Sequence, residues 1–172
     1  QMSVLMRQAG LVPHGVYAGH GEGYRQAALI GPHTGSVHTG LSVAELDAGG
    51  VLASMNLPSF PTFTARTFLS DDVELSNALV RAYNDWHIDE WCGAYPGRFI
   101  PMAVPAIWSA EETAAEVRRT AEKGCHSLSF TENPAALGYP SFHDGYWDPV
   151  WRACCDTGTV LSVPLGASGG GS

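Results

Sequence analysis

The chain has little charge of either sign: 15% of its 172 residues are charged, with 9 basic against 17 acidic residues and a net charge of -8. Apart from Arg118-Arg119 the basic residues are scattered, so the footprint that a nucleic-acid backbone requires is missing. No apolar run reaches the length of a membrane span, and the first residues lack a basic segment followed by an apolar one, which excludes a membrane partner on sequence grounds. The four cysteines, Cys92, Cys125, Cys154 and Cys155, show no C-x-x-C spacing, and adjacent Cys154 and Cys155 cannot readily pair. Reduced thiols in a cytoplasmic protein are the expectation. Also missing are the Gly-Lys-Ser/Thr ending that would make Gly19-His20-Gly21-Glu22-Gly23 a phosphate loop, and the Gly-x-Ser-x-Gly elbow of a serine hydrolase. The first motif reads instead as a flexible turn.

What is present is an ordinary globular composition, 45% hydrophobic and 10% aromatic, at a length suited to one domain. Residues 1–49 are rich in Gly, His and Pro with weak periodicity, an irregular N-terminal excursion with a helix expected at 42–48. Residues 50–168 carry regular patterns, and 169–172 form a Gly/Ser tail. Both ends of the chain are expected to be cut.

Four apolar segments read as strands: 51–57, 98–105, 125–130 and 159–163. Helical patterns separate the later ones. Leu75, Leu79, Ala82 and Trp86 give an apolar stripe within a helix predicted over 72–91. Ser109-Ala110-Glu111-Glu112 is a capping box, followed by the small-residue face Ala110, Ala114, Val117 and Ala121 and a left-handed stop at Gly124. Asp148-Pro149 opens a last helix that Gly158 ends. Strand alternating with helix implies an α/β fold with a parallel sheet, whose chemistry lies where each strand ends.

Asn84-Asp85-Trp86, Pro96-Gly97-Arg98-Phe99, Pro101, Pro105, the capping box, Ser129-Phe130-Thr131-Glu132-Asn133-Pro134 and Tyr146-Trp147-Asp148-Pro149 follow one another in an order that resembles the amidohydrolase-related family. The nearest branch is the one containing aminocarboxymuconate semialdehyde decarboxylase. The resemblance runs from about residue 46 to residue 166. It implies a partial (β/α)8 TIM barrel, about strands 2–5, from a metal-dependent hydrolase or decarboxylase acting on a small organic acid. It implies a divalent metal, zinc by expectation, in the intact enzyme. The resemblance implies that the metal pair of the first strand lies upstream of Gln1 and the aspartate of the last strand beyond Ser172. The fifth-strand histidine should fall within Val163-Pro164-Leu165-Gly166, and here Pro164 takes its place with no donor atom to offer. No bound metal is therefore expected for this chain alone, nor activity.

The candidates for chemistry lie at strand ends. Glu132 could accept a proton and Asn133 hold a substrate oxygen, or the two could cap a loop ahead of Pro134. His143, in the loop after the fourth-strand equivalent, could face a pocket. Ser59, between Pro58 and Phe60, could bind substrate or serve turn geometry. His14, His20, His33 and His38 have irregular spacing and read as loop histidines or, in a self-contained enzyme, as metal ligands. His87 and His126 read as structural, and Trp86, Trp91, Trp147 and Trp151 as core. The alternative function is a non-catalytic binding domain, a degenerate relative on the same scaffold. Four strands leave two unpaired sheet edges, which favour association into a homo-oligomer, or aggregation, unless something covers them.

Overall fold

The computed structural model describes residues 39–57, 63–164 and 167–168, without the side chains of 39–42 and 45. Helix α1 (Thr39–Ala48) leads to strand β1 (Ser54–Met55) and a short 3-10 turn (Arg66–Phe68). Helix α2 (Val73–Asp85) runs into a π-helical segment (Trp86–Cys92) and strand β2 (Phe99–Ile100). Helix α3 (Ala110–Glu122), strand β3 (Ser127–Ser129), two 3-10 turns (Pro134–Leu137, Gly145–Trp147), helix α4 (Asp148–Thr157) and strand β4 (Val160–Ser162) complete the order.

Every strand pairing is parallel. Ser54 is in register with Phe99, and Ser127 with Val160. A single bridge, Ala103 to Leu128, joins the two pairs: Ala103 N–H donates to the Ser127 carbonyl and Ser129 N–H to the Ala103 carbonyl, each at 2.9 Å. The described strands form two parallel two-stranded sheets, β1-β2 and β3-β4, brought side by side by that bridge, with helices between successive strands, and the α/β expectation holds.

The strands are shorter than their apolar runs suggest, for identifiable reasons. Pro101 and Pro105 lack an N–H and restrict ladder pairing in the second run to Phe99, Ile100 and the bridge at Ala103. In the first run, Arg98 bonds the carbonyls of Leu52 and Val51 through its guanidinium and pairs with Asp47 at 2.6 Å.

Helix α2 also departs from expectation. Asp72 is its N-cap, accepting from Leu75 N–H, and after Asp85 the chain loosens into π geometry. Its inner face is Ser76, Val80, Tyr83 and Asn84, whereas Leu75 and Ala82 of the predicted stripe are exposed and Leu79 and Trp86 only partly covered. The polar members of this face are satisfied on burial. Ser76 Oγ donates to the Asp72 carbonyl, and Asn84 donates to the Val104 carbonyl in the chain beyond β2.

Helix α3 begins as its cap predicts on one side only. Ser109 Oγ accepts from Glu112 N–H at 3.2 Å, but the Ser109 amide donates to Ala106 and the Glu112 carboxylate faces Arg81 at 3.8 Å. Gly124 and Gly158 take positive φ, 85° and 66°, where α3 and α4 stop.

Helices α3 and α4 pack on each other over a core containing Leu128, Phe130, Trp147 and Val150, all inaccessible to solvent. Phe130 meets Trp147 edge-on at 5.1 Å, and Trp147 Nε1 donates to the Pro140 carbonyl. Cys92, Cys125 and Cys154 are buried, Cys155 is exposed, and all four are free thiols. Among the described residues no helix is long and apolar enough to cross a membrane.

Candidate functional site

Three connections that leave strand ends are tied together. Ser129, the last residue of β3, donates through Oγ to the Phe63 carbonyl in the segment after β1. Beyond β3, Thr131 is fully buried and Glu132 half-buried. Ser168, in the segment after β4, grips the Glu132 carboxylate from both its donors: Oγ reaches Oε1 at 2.7 Å and N–H reaches Oε2 at 3.2 Å. Thr131 Oγ1 donates to Glu132 Oε2 at 3.3 Å and accepts from Asn133 N–H at 3.2 Å. These donors suit an ionised carboxylate, which only accepts.

Next to it, Asn133 is exposed and caps the following 3-10 turn, its Oδ1 accepting from Ala136 N–H at 3.3 Å. The loop-capping role foreseen for it is thus present. His143 lies further along the same connection, exposed, with its ring edge-on to Phe142 at 5.8 Å. No hydrogen bond among the described residues links His143 to Glu132. Ser59 falls outside the described residues, as do His14, His20, His33 and the Gly19–Gly23 turn. The sequence reading passed over Ser168, Thr131 and Ser129. Small hydroxyl residues at strand ends are too common to stand out.

Among the described residues no three His, Cys, Asp or Glu side chains converge as a metal-ligand set. Pro164, partly buried just beyond β4, has no donor atom where the resemblance calls for histidine. The described residues therefore do not fit a divalent cation.

A second polar cluster, buried at Asn84 and Glu116 and partly exposed elsewhere, joins α2 to α3. Asn84 Nδ2 donates to Glu116 Oε1 at 2.8 Å, Arg119 holds both Glu116 oxygens, and Arg119 and Lys123 converge on Asp85 at 2.7 Å each. Burial alone would raise the Asp85 carboxyl, but the hydrogen bonds and charges of Lys123 and Arg119 outweigh it and hold it below the usual range. His87, one turn on, stacks on Tyr83 at 6.1 Å and lies 3.6 Å from Cys92 Sγ; burial lowers it to about 4 and raises Cys92 to about 12. Every partner here is internal, and the cluster reads as structural.

Residues 33–171 match the sequence profile of the Amidohydrolase family. The chain belongs to the amidohydrolase family. No curated protein matches it significantly. Among the solved structures, it is similar to 5-carboxyvanillate decarboxylase from Sphingomonas paucimobilis, with 22% identity and a TM-score of 0.53 over 73% of this chain and 35% of that one. It is also similar to 5-carboxyvanillate decarboxylase from Novosphingobium aromaticivorans, solved with bound manganese and 3-methoxy-4-hydroxy-5-nitrobenzoic acid, with 22% identity and a TM-score of 0.57 over 94% of this chain and 45% of that one. At this identity the likeness establishes the fold. This amidohydrolase chain spans less than half the length of either structure.

Proposed function

We propose that this chain is the segment of about strands 2–5 of a cytoplasmic, metal-dependent amidohydrolase-family enzyme, a hydrolase or decarboxylase of a small organic acid, and is inactive alone. Residues 50–168 are the barrel segment, 1–49 its irregular excursion and 169–172 a tail. The observation that carries the reading is the Glu132 carboxylate, held at the end of one parallel strand by Ser168 from the end of the next. Strand ends are where such barrels place their chemistry.

In this reading Glu132 orients a substrate hydroxyl or accepts its proton, Asn133 offers its amide N–H groups to a substrate oxygen, and Ser59 and His143 line the same side. The similarity to decarboxylases of an aromatic acid favours carbon–carbon cleavage of an aromatic acid over hydrolysis. The metal of the whole enzyme, zinc or the manganese found in one neighbour, would be held by residues other than those described. Assay of the chain with 5-carboxyvanillate and added manganese or zinc is expected to release no carbon dioxide. Turnover would refute the inactive-segment reading.

Pro164 favours a second reading, a relative that keeps the scaffold for binding and has lost catalysis. Retention of an aromatic acid without turnover, in a longer polypeptide that carries the other ligands, would select it.

A further inference from the structure

Donors of the chain itself meet the Glu132 carboxylate, and they are not equally easy to displace. Ser168 Oγ makes the shortest bond, 2.7 Å to Oε1. It is a hydroxyl on a partly buried residue, so it can rotate away and be solvated. The Ser168 N–H, 3.2 Å from Oε2, belongs to a backbone turn in which Ala167 N–H donates to the Pro164 carbonyl at 3.2 Å. Thr131 Oγ1, 3.3 Å from Oε2, is on a fully buried residue and also accepts from Asn133 N–H, so it stays in place. Oε1 is therefore the exchangeable side of the carboxylate. The bond found there, a hydroxyl on a carboxylate, is of the kind that a hydroxyl-bearing ligand makes.

We infer that Ser168 is a built-in competitor at Glu132: a ligand hydroxyl gains Oε1 only as the Ser168 hydroxyl gives it up. The exchange swaps one hydroxyl–carboxylate bond for another, so the parent chain draws little net affinity from Glu132. Binding and clamping are then linked, and each weakens the other by the same factor. A hydroxylated acid loosens Ser168 from Glu132, and loss of the Ser168 hydroxyl favours the hydroxylated acid. An acid without a hydroxyl does not enter the exchange. The inference rests on the reading of Glu132 as the group that meets a substrate hydroxyl.

Titration of the 172-residue chain with 4-hydroxybenzoate and with benzoate, followed by nuclear magnetic resonance, tests it without turnover. Ser168→Ala should bind 4-hydroxybenzoate about fivefold or more tightly than the parent, with benzoate binding unchanged. Ser168→Thr, which keeps the hydroxyl, should match the parent. In the parent, 4-hydroxybenzoate should also quicken exchange of the Ser168 amide. Equal or weaker binding of 4-hydroxybenzoate by Ser168→Ala, or the same gain with benzoate, would overturn the competitor and leave the reading of Glu132 standing. Glu132→Gln separates the two ideas further, because it should abolish any preference for 4-hydroxybenzoate over benzoate. A preference that survives in Glu132→Gln, or no binding of 4-hydroxybenzoate by any form at millimolar concentration, would overturn both.

Discussion

The Asn84 amide spans both backbone groups of Val104, accepting its N–H on Oδ1 at 2.9 Å and donating from Nδ2 to its carbonyl at 3.1 Å. It thereby fixes helix α2 to the chain that leaves β2 and, through Glu116, to α3. All of this is buried. Replacing Asn84 by Ala strands two backbone groups and one Glu116 contact away from water, and should cost about 2–4 kcal/mol in urea unfolding. Asn84→Asp keeps the acceptor for Val104 N–H but loses both donors and adds charge beside Glu116, so it should be no better. A loss below about 1 kcal/mol would show that the knot is not needed.

Stability should fall in mild acid because of His87. The folded imidazole stays neutral down to about pH 4, while the unfolded one protonates from its ordinary value of 6.5. The contribution is therefore complete above pH 6.5 and is lost as the pH falls between the two values, by about 2 kcal/mol at pH 5 and about 3 kcal/mol in all. Denaturation midpoints of the parent and of His87→Phe at pH 7.5 and 5 check this, with the variant expected to lack most of the slope. Asp85, whose carboxyl is held low, acts in a separate window. Its contribution is present above the unfolded carboxylate value and fades only below it, under the histidine range.

Ser168→Ala should remove the hydroxyl bond to the Glu132 carboxylate and leave the backbone one, with little global effect, about 1 kcal/mol or less. The effect should be local. Amide exchange at residues 131–133 and at 168 should quicken, and Ser168→Thr should restore the parent rates. Unchanged exchange in the alanine variant would mean that the clamp does not hold the two strand-end loops together.

Restoring one ligand should not restore the metal. Pro164→His places a donor beyond β4, yet the described residues bring no three ligand-type side chains together for it to join. Equilibrium dialysis with manganese or zinc is expected to give well below one ion per chain for parent and variant alike. Stoichiometric binding by either would locate ligands outside the described residues.

The fold was legible wherever one local rule acted alone. Apolar runs marked all four strands, Gly124 and Gly158 marked the ends of α3 and α4, and Ser109 marked the start of α3. It was less legible where tertiary bonds chose between near-equal faces. Helix α2 turns Ser76 and Asn84 inward because each finds a partner there, which apolar spacing cannot reveal. The π-helical stretch at Trp86–Cys92 has no sequence mark, since it accompanies the packing of Trp91 and Cys92 on Phe99. At the site, Glu132 and Asn133 could be named from their place after a strand. Ser168 could not, because its importance lies in a contact across 36 residues.

Strands β1 to β4 join in chain order into one parallel arrangement through the bridge between Ala103 and Leu128. Nuclear magnetic resonance reads this directly. The expected result is cross-strand contacts between Ala103 and Leu128 in parallel register, with slowly exchanging amides at Ala103 and Ser129. Rapid exchange of both amides, or antiparallel contacts between any two of the strands, would contradict it.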